Sequence, residues 1–306
     1  MTNQIKAIVT MPPYAEHLNE VLEHDKVSGI RLNTVMPIKG KLEDTLKKIN
    51  DSTKEKGKDL WIDLKCRQLR IKNFGVPPFT EVELSHEIEV YTPCKAYFSE
   101  RGEEATVLEV EGNKLIMKEG PRRVVGPGES VTITHPTLKI KGYLTEGDKK
   151  YIDNCNKLGI NKFMLSFVEQ KEDIEELLKY SPNAEIISKI ESKKGLDFVK
   201  DFSKNSKNRL MAARGDLYMQ LHWPHKIIDV LENILYKDES AIVASRILDS
   251  LSNNSEPTCE DIGDLDNLLR MGYKTVMFGD YVCLDRRSII SALNIFSVMS
   301  ERYERK

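Results

Sequence analysis

Eight short apolar runs occur along the chain, and most of them lack regular alternation of apolar and polar positions. Strands that are buried on both faces of a parallel sheet show this pattern. The eight predicted strands lie near residues 5–10, 29–33, 60–64, 162–166, 185–190, 209–213, 240–244 and 274–278.

Helical patterns separate most of these runs, with apolar residues spaced three and four positions apart. The predicted helices lie at residues 41–56, 146–158, 170–180, 193–203, 223–237, 260–271 and 286–303. Strands that alternate with helices in this way predict an α/β protein, a (β/α)8 TIM barrel. An open doubly wound sheet with additional strands is the main alternative.

The stretch between the third and fourth predicted strands breaks this rhythm. It shows apolar–polar alternation instead, punctuated by the turn sequences GVPP and GPG. We therefore predict a barrel domain at residues 1–70 and 142–306, with a small β-barrel or sandwich domain inserted at 71–141. Because loops at the carboxyl ends of barrel strands host active sites, an insertion there can act as a lid.

Composition narrows the class of protein. The net charge of −2 gives no global attraction to nucleic acid, and no apolar run approaches the roughly 20 residues that span a bilayer. The N-terminus enters a strand-like run without a separate apolar signal region, so a cytoplasmic protein is expected. Five cysteines without a CxxC motif indicate reduced thiols.

Candidate chemistry lies where two apolar runs end. Lys189 and Glu191 stand two apart in an extended segment, so their side chains point to the same side. The next run is followed by Arg214, Gly215 and Asp216. One ammonium, two carboxylates and a glycine turn can hold a divalent cation against an anionic substrate. The simpler alternatives are a strand-end ion pair for the first segment and a helix N-cap for Asp216.

Several segments together resemble the pyruvate kinase family, and they occur in the family's order. They are GIRLN at 29–33, IDLKCRQLR at 62–70, LTEGD at 144–148, FMLSFVEQKED at 163–173, SKIES at 188–192, AARGDL at 212–217, ASRILDSL at 244–251 and PTCED at 257–261. The resemblance covers the whole predicted barrel and, more loosely, the insertion. It implies phosphoryl transfer from phosphoenolpyruvate to a nucleoside diphosphate, giving pyruvate.

The resemblance also implies roles for individual residues. Glu191 and Asp216 would bind Mg²⁺ or Mn²⁺, and Lys189 would neutralise the phosphoryl group in flight. Arg31 would contact a substrate phosphate, and Ser245 would serve in the proton relay to the enolate carbon. The remaining substrate-binding candidates are Gly215, Asp216, Arg70, Lys65, Asn33 and Asp63.

Departures from the family pattern concern the monovalent cation. Val35 stands where the family has a serine that binds this ion, although Asn33 and Asp63 are kept. The K⁺ site is therefore predicted to be absent or altered, and Arg67 is a hypothetical substitute for the cation's charge. Met36 replaces a histidine that lies by the nucleotide in the family.

Other departures and alternatives bear on partners. The sequence ends after the eighth predicted helix, without the family's C-terminal domain, so the usual tetramer is not expected and another homo-oligomer stays open. Two further functions remain open: a Mg²⁺-dependent enolate lyase or aldolase, and a non-catalytic ligand-binding protein. A basic turn, which is either solvated or nucleotide-binding, contains Lys118, Arg122 and Arg123. An HxxH motif, which either starts a helix or binds metal, contains His222 and His225.

Overall fold

The computed structural model describes residues 4–98, 102–205 and 207–304. In chain order the strands are β1 (Lys6–Thr10), β2 (Val27–Asn33), β3 (Asp59–Leu64), β4 (Glu81–Glu83), β5 (Ile88–Glu89), β6 (Cys94–Phe98), β7 (Glu103–Glu111), β8 (Lys114–Met117), β9 (Val131–Ile133), β10 (Lys139–Ile140), β11 (Lys162–Leu165), β12 (Glu185–Ile190), β13 (Asn208–Ala213), β14 (Ile242–Ala244) and β15 (Thr275–Phe278).

The helices alternate with the barrel strands. They are α1 (Leu18–Glu23), α2 (Leu42–Glu55), α3 (Glu146–Lys157), α4 (Lys171–Tyr180), α5 (Lys193–Lys200), α6 (Arg214–Gln220), α7 (Ile227–Lys237), α8 (Cys259–Met271), α9 (Asp280–Leu284) and α10 (Arg286–Glu304). Two 3₁₀ turns lie at Pro224–Lys226 and Asp249–Ser252. The periodicity missed α1, α6 and α9, which have five to seven residues each and are too short to show a repeat.

A closed parallel barrel forms the body of the protein, in the order β1-β2-β3-β11-β12-β13-β14-β15 and back to β1. The predicted TIM-barrel class is confirmed. Strands β3 and β11 pair directly, with Asp63 opposite Met164, although the insertion separates them in sequence. The carboxyl ends of all eight strands therefore meet at one rim, where a TIM barrel carries its site.

Apolar side chains fill the barrel interior, so it is a packed core and not a channel. This inner cluster consists of Ile8, Trp61, Met164, Ile187, Met211, Ile242, Ala244 and Met277. A larger cluster lies between the strands and the surrounding helices. Within the described ranges, no helix is long and apolar enough to cross a membrane.

The seven strands β4 to β10 make the inserted segment all-β, as expected. They form a five-stranded antiparallel sheet in the order β4-β8-β7-β6-β9 and a two-stranded sheet of β5 and β10. The edge strands β4 and β9 have only three residues each, so their pairing ends early. These strands have a hydrophobic cluster of their own. The boundaries at 71 and 141 stay a prediction.

Candidate active site

The Lys189 ammonium lies at the centre of the rim, one residue before β12 ends. Its Nζ is 3.2 Å from Asp63 Oδ1 and 3.2 Å from Glu191 Oε1, and it donates to Ser166 Oγ over 3.0 Å. All four residues are buried. Burial lowers the pKa of Lys189, but the two carboxylates outweigh this effect and raise the pKa above its usual value. Lys189 is therefore a fixed positive charge.

Asp63 joins this lysine to Arg31 of the neighbouring strand β2. Arg31 Nε and Nη2 donate to Asp63 Oδ2 over 2.8 and 2.5 Å, and Nη1 donates to Asp280 and Thr10 over 2.8 and 3.0 Å. Burial raises the pKa of Asp63, but Lys189 and Arg31 outweigh it and hold the pKa well below its usual range. These contacts use four of the five N–H groups of Arg31. Its predicted phosphate contact stays a prediction.

The two predicted metal ligands, Glu191 and Asp216, stand at neighbouring strand ends. Ile190 pairs with Ala212, so Glu191 directly follows β12 while Asp216 lies in the first turn of the helix after β13. Glu191 Oε2 accepts the backbone N–H of Phe167 over 2.8 Å, and Asp216 Oδ2 accepts Gln68 Nε2 over 3.3 Å.

These two carboxylates fit a hard divalent cation. Mg²⁺ is usually held by one or two carboxylates while substrate oxygens and water complete its shell. Within residues 4–98, 102–205 and 207–304 no group of three or more His, Cys, Asp or Glu could hold a metal ion. For an ion bound here, substrate or solvent oxygens would supply the other ligands. Asp216 is the third residue of α6, whose N-cap is Ala213, so the N-cap alternative for Asp216 is wrong.

Two further cations, Lys65 and Arg70, line a cavity of about 860 Å³ between the rim and the inserted segment. Lys65 Nζ donates to Asn33 Oδ1 over 2.5 Å, and Arg70 donates to the Gly128 carbonyl over 2.8 Å and to Gln68 Oε1. Their hydrogen bonds in the described chain go to neutral acceptors. Burial lowers the pKa of Lys65 to about 7 and also lowers the pKa of Arg70. An anionic ligand would stabilise both charges.

Gly215 and Ser245 complete the predicted set. Gly215 is buried in the first turn of α6, directly before Asp216. Ser245 follows β14 with a positive φ of 75°, and its carbonyl accepts hydrogen bonds from Arg214. The structure thus brings every predicted site residue to the same end of the barrel.

Sequence reasoning missed three residues that hold this arrangement together. Gln68 bridges Arg70 and Asp216, Ser166 accepts from Lys189, and Asp280 accepts from both Arg31 and Asn33. Ser166 ends one predicted strand and Asp280 lies two residues after another, so their position was a usable signal. Gln68 offered no such signal, because it lies in a loop, four residues after the predicted strand 60–64 ends.

The hypothesis that Arg67 replaces a monovalent cation is wrong. Its Nη1 and Nη2 donate to Asp173 over 2.8 and 2.5 Å, and its guanidinium lies 4.8 Å from the ring centroid of Tyr143. Lys65, and not Arg67, contacts Asn33. Asp173, the partner of Arg67, caps the start of α4.

The HxxH motif leads into a helix, as its simpler alternative expects, whereas the role of the basic turn stays a prediction. Lys118 and Arg122 are exposed, and Arg123 forms ion pairs with Glu103 and Glu129. The histidines flank an exposed tryptophan, and the 3₁₀ turn Pro224–Lys226 leads into α7 there.

Comparison with known proteins agrees with this picture. The family model described as "Pyruvate kinase, barrel domain" matches residues 104–281. The pyruvate kinase of Methanocaldococcus jannaschii is 26% identical over 331 aligned positions, covering 99% of this chain and 71% of that protein. That of Borreliella burgdorferi is 24% identical, covering 100% and 69%. That of Thermoplasma acidophilum is 34% identical over 137 positions, which cover 42% of this chain and 25% of the relative.

Proposed function

The chain belongs to the pyruvate kinase family, and we propose that it transfers the phosphoryl group of phosphoenolpyruvate to a nucleoside diphosphate, giving pyruvate. The observation that carries this proposal is the charge arrangement at the rim. Lys65 and Arg70 have neutral hydrogen-bond acceptors, and Lys189 lies 3.2 Å from Glu191, one of the two carboxylates that follow neighbouring strands. Such a site complements a small, multiply charged anion.

Electrostatic stabilisation and positioning supply most of the catalysis in phosphoryl transfer. Lys189 is held between Asp63 and Glu191, so its charge needs no reorganisation when the phosphoryl group moves past it. Arg70 and Lys65 would contact the substrate's anionic groups. The backbone N–H groups of Gly215 and Asp216, at the start of α6, suit its carboxylate.

Glu191 and Asp216 would hold Mg²⁺ or Mn²⁺, and the bound ion would neutralise charge on the substrate's oxygens. In the reaction the bond between phosphorus and the enol oxygen breaks while a bond to the diphosphate forms. The enolate left behind then takes a proton at its methylene carbon. Ser245, at the neighbouring strand end, would supply that proton through its hydroxyl group.

A coupled assay tests the proposal. Purified protein is given phosphoenolpyruvate, Mg²⁺ and each of several nucleoside diphosphates, and pyruvate is followed with lactate dehydrogenase. We expect pyruvate to form only when both substrates are present. Pyruvate at the level of the protein-free blank, with every nucleotide, would contradict the proposal.

The remaining outcomes distinguish the other two functions. Binding of oxalate with Mg²⁺ in a protein that forms no pyruvate would favour an enolate lyase or aldolase. Binding of neither ligand would favour a non-catalytic relative.

Metal binding is expected to depend on the substrate anion. The chain supplies two carboxylates, so Mg²⁺ alone should shift the melting temperature little, while Mg²⁺ with oxalate should shift it clearly. At 100 times the dissociation constant the stabilisation is about 2.7 kcal/mol. The E191Q variant should lose this joint shift. E185Q is the matched control, since Glu185 begins the same strand β12 and pairs with Lys162 at 2.5 Å. A full shift in E191Q would exclude Glu191 as a ligand.

Activity is also expected to be independent of K⁺. Lys65 Nζ already contacts Asn33 Oδ1, while Val35 offers no side-chain oxygen. Once a bound substrate anion keeps Lys65 charged, its ammonium group supplies the positive charge that a bound cation would bring. Initial rates measured in potassium chloride and in tetramethylammonium chloride of equal ionic strength should agree. A rate that collapses without K⁺ would contradict this expectation.

A further inference from the structure

The loop after β14 has an unusual backbone. Ser245, Arg246 and Leu248 have φ values of +75°, +57° and +53°. Non-glycine residues take this left-handed conformation rarely, and they keep it where surrounding contacts fix it. The Ser245 hydroxyl makes no hydrogen bond within the described part of the chain, so it is available to a ligand. Contacts from neighbouring residues must therefore stabilise this strained loop.

Arg214 supplies those contacts. Its Nε and Nη2 donate to the Ser245 carbonyl over 3.1 and 2.6 Å, and Nη2 also reaches the Arg246 carbonyl at 3.3 Å. The guanidinium is itself fixed by Asp264 of α8, whose two carboxylate oxygens accept over 2.7 and 2.8 Å. A buried, bidentate arginine is a rigid donor. It therefore fixes two consecutive carbonyl groups of the strained loop.

The same helix holds the loop at a second point. The Arg246 guanidinium lies 5.5 Å from the ring centroid of Tyr218, a cation–π distance. Arg214 and Tyr218 both belong to α6, which also carries Asp216 in its first turn. Register supports the link, because Ala213 pairs with Ala244 and so places Arg214 beside Ser245. The position of the Ser245 hydroxyl is thereby tied to that of the Asp216 carboxylate.

We propose that Arg214 and Asp264 are a positioning pair that fixes the Ser245 hydroxyl relative to Asp216 for proton delivery. The inference rests on the proposed function, in which the Ser245 O–H bond breaks as a C–H bond forms at the methylene carbon of the enolate. Ser245 then recovers its proton from water. Arg214 touches no reacting atom and acts through the loop.

A double-mutant cycle tests the pair. The exchange of pyruvate methyl protons with D₂O, followed by NMR in the presence of Mg²⁺, measures proton delivery separately from nucleotide binding. We expect S245A to lower the exchange rate by about 10²-fold and R214K by about tenfold or more. The double variant should be no slower than S245A alone, because Arg214 acts through Ser245. The KM for phosphoenolpyruvate should stay near that of the wild type in R214K.

Arg209 provides a matched control, since it is an arginine of β13, the strand that leads into α6, and it donates to the Ser240 carbonyl over 3.0 and 2.6 Å. R209K should leave the exchange rate unchanged. D264N is the second variant if R214K does not fold, and it should show a smaller loss with the same non-additivity.

If the wild type is active, two results would contradict the positioning role and leave the proposed function standing. One is a double variant whose loss of exchange rate is the product of the two single losses. The other is a loss of exchange rate in R209K equal to that in R214K. A wild type that neither exchanges pyruvate protons nor forms pyruvate would overturn the proposed function together with this inference.

Discussion

Replacing Lys189 with methionine is expected to lower kcat for pyruvate formation by about 10³-fold, the scale seen when a preorganised transition-state charge is removed. Lys189 Nζ lies 3.2 Å from both Asp63 and Glu191, so its position is set before substrate arrives. Methionine keeps a similar length and an apolar stem but has no charge. The KM for phosphoenolpyruvate should change much less than kcat, because the charge matters most in the transition state.

Lys162 offers a matched control for this experiment. It begins the adjacent strand β11, and its Nζ pairs with Glu185 at 2.5 Å and Asp59 at 3.6 Å, at the opposite end of the barrel. K162M removes the same group from the same kind of position without touching the rim. We expect it to keep its activity. Equal losses of activity in K189M and K162M would show that Lys189 acts on stability and not on the transition state.

Much of the fold could be predicted because the spacing of apolar residues along the sequence distinguishes barrel strands from long helices. The eight apolar runs needed no tertiary information, and neither did the alternating stretch that became the inserted sheets. The alternation did not reveal how the short strands divide between two sheets. That division depends on pairing between distant segments, such as β4 with β8 and β6 with β9.

The site could be predicted as a set of residues but not as a set of contacts. Every chosen side chain lies in the last three residues of a barrel strand or in the segment after it, and parallel strands bring their carboxyl ends to one rim. Partner choice is different. Arg67 and Lys65 are two residues apart, yet Arg67 donates to Asp173 and Lys65 donates to Asn33. That choice depends on a capping carboxylate 106 positions away in sequence, which a local pattern does not reveal.

Among the buried charged residues at the rim, Asp63 is the one whose loss should destabilise the barrel most. Its carboxylate is fully buried, accepts two hydrogen bonds from Arg31 and lies 3.2 Å from Lys189 Nζ. D63N keeps the shape but leaves the buried cations with too little negative charge. Breaking one side of a buried ion pair costs about 3–5 kcal/mol. Urea unfolding, followed by fluorescence of Trp61 inside the barrel, measures this loss.

The pH dependence separates this electrostatic cause from altered packing. Because the folded pKa of Asp63 lies below its ordinary 3.8, its contribution is present above that value and fades as the pH falls through the folded pKa. The stability gap between wild type and D63N should be constant above about pH 5 and narrow in stronger acid. D59N is the control, since Asp59 lies at the other end of β3 with a side chain 45% exposed, and it should cost at most about 1 kcal/mol. A gap that persists unchanged into acid would show that D63N acts through packing.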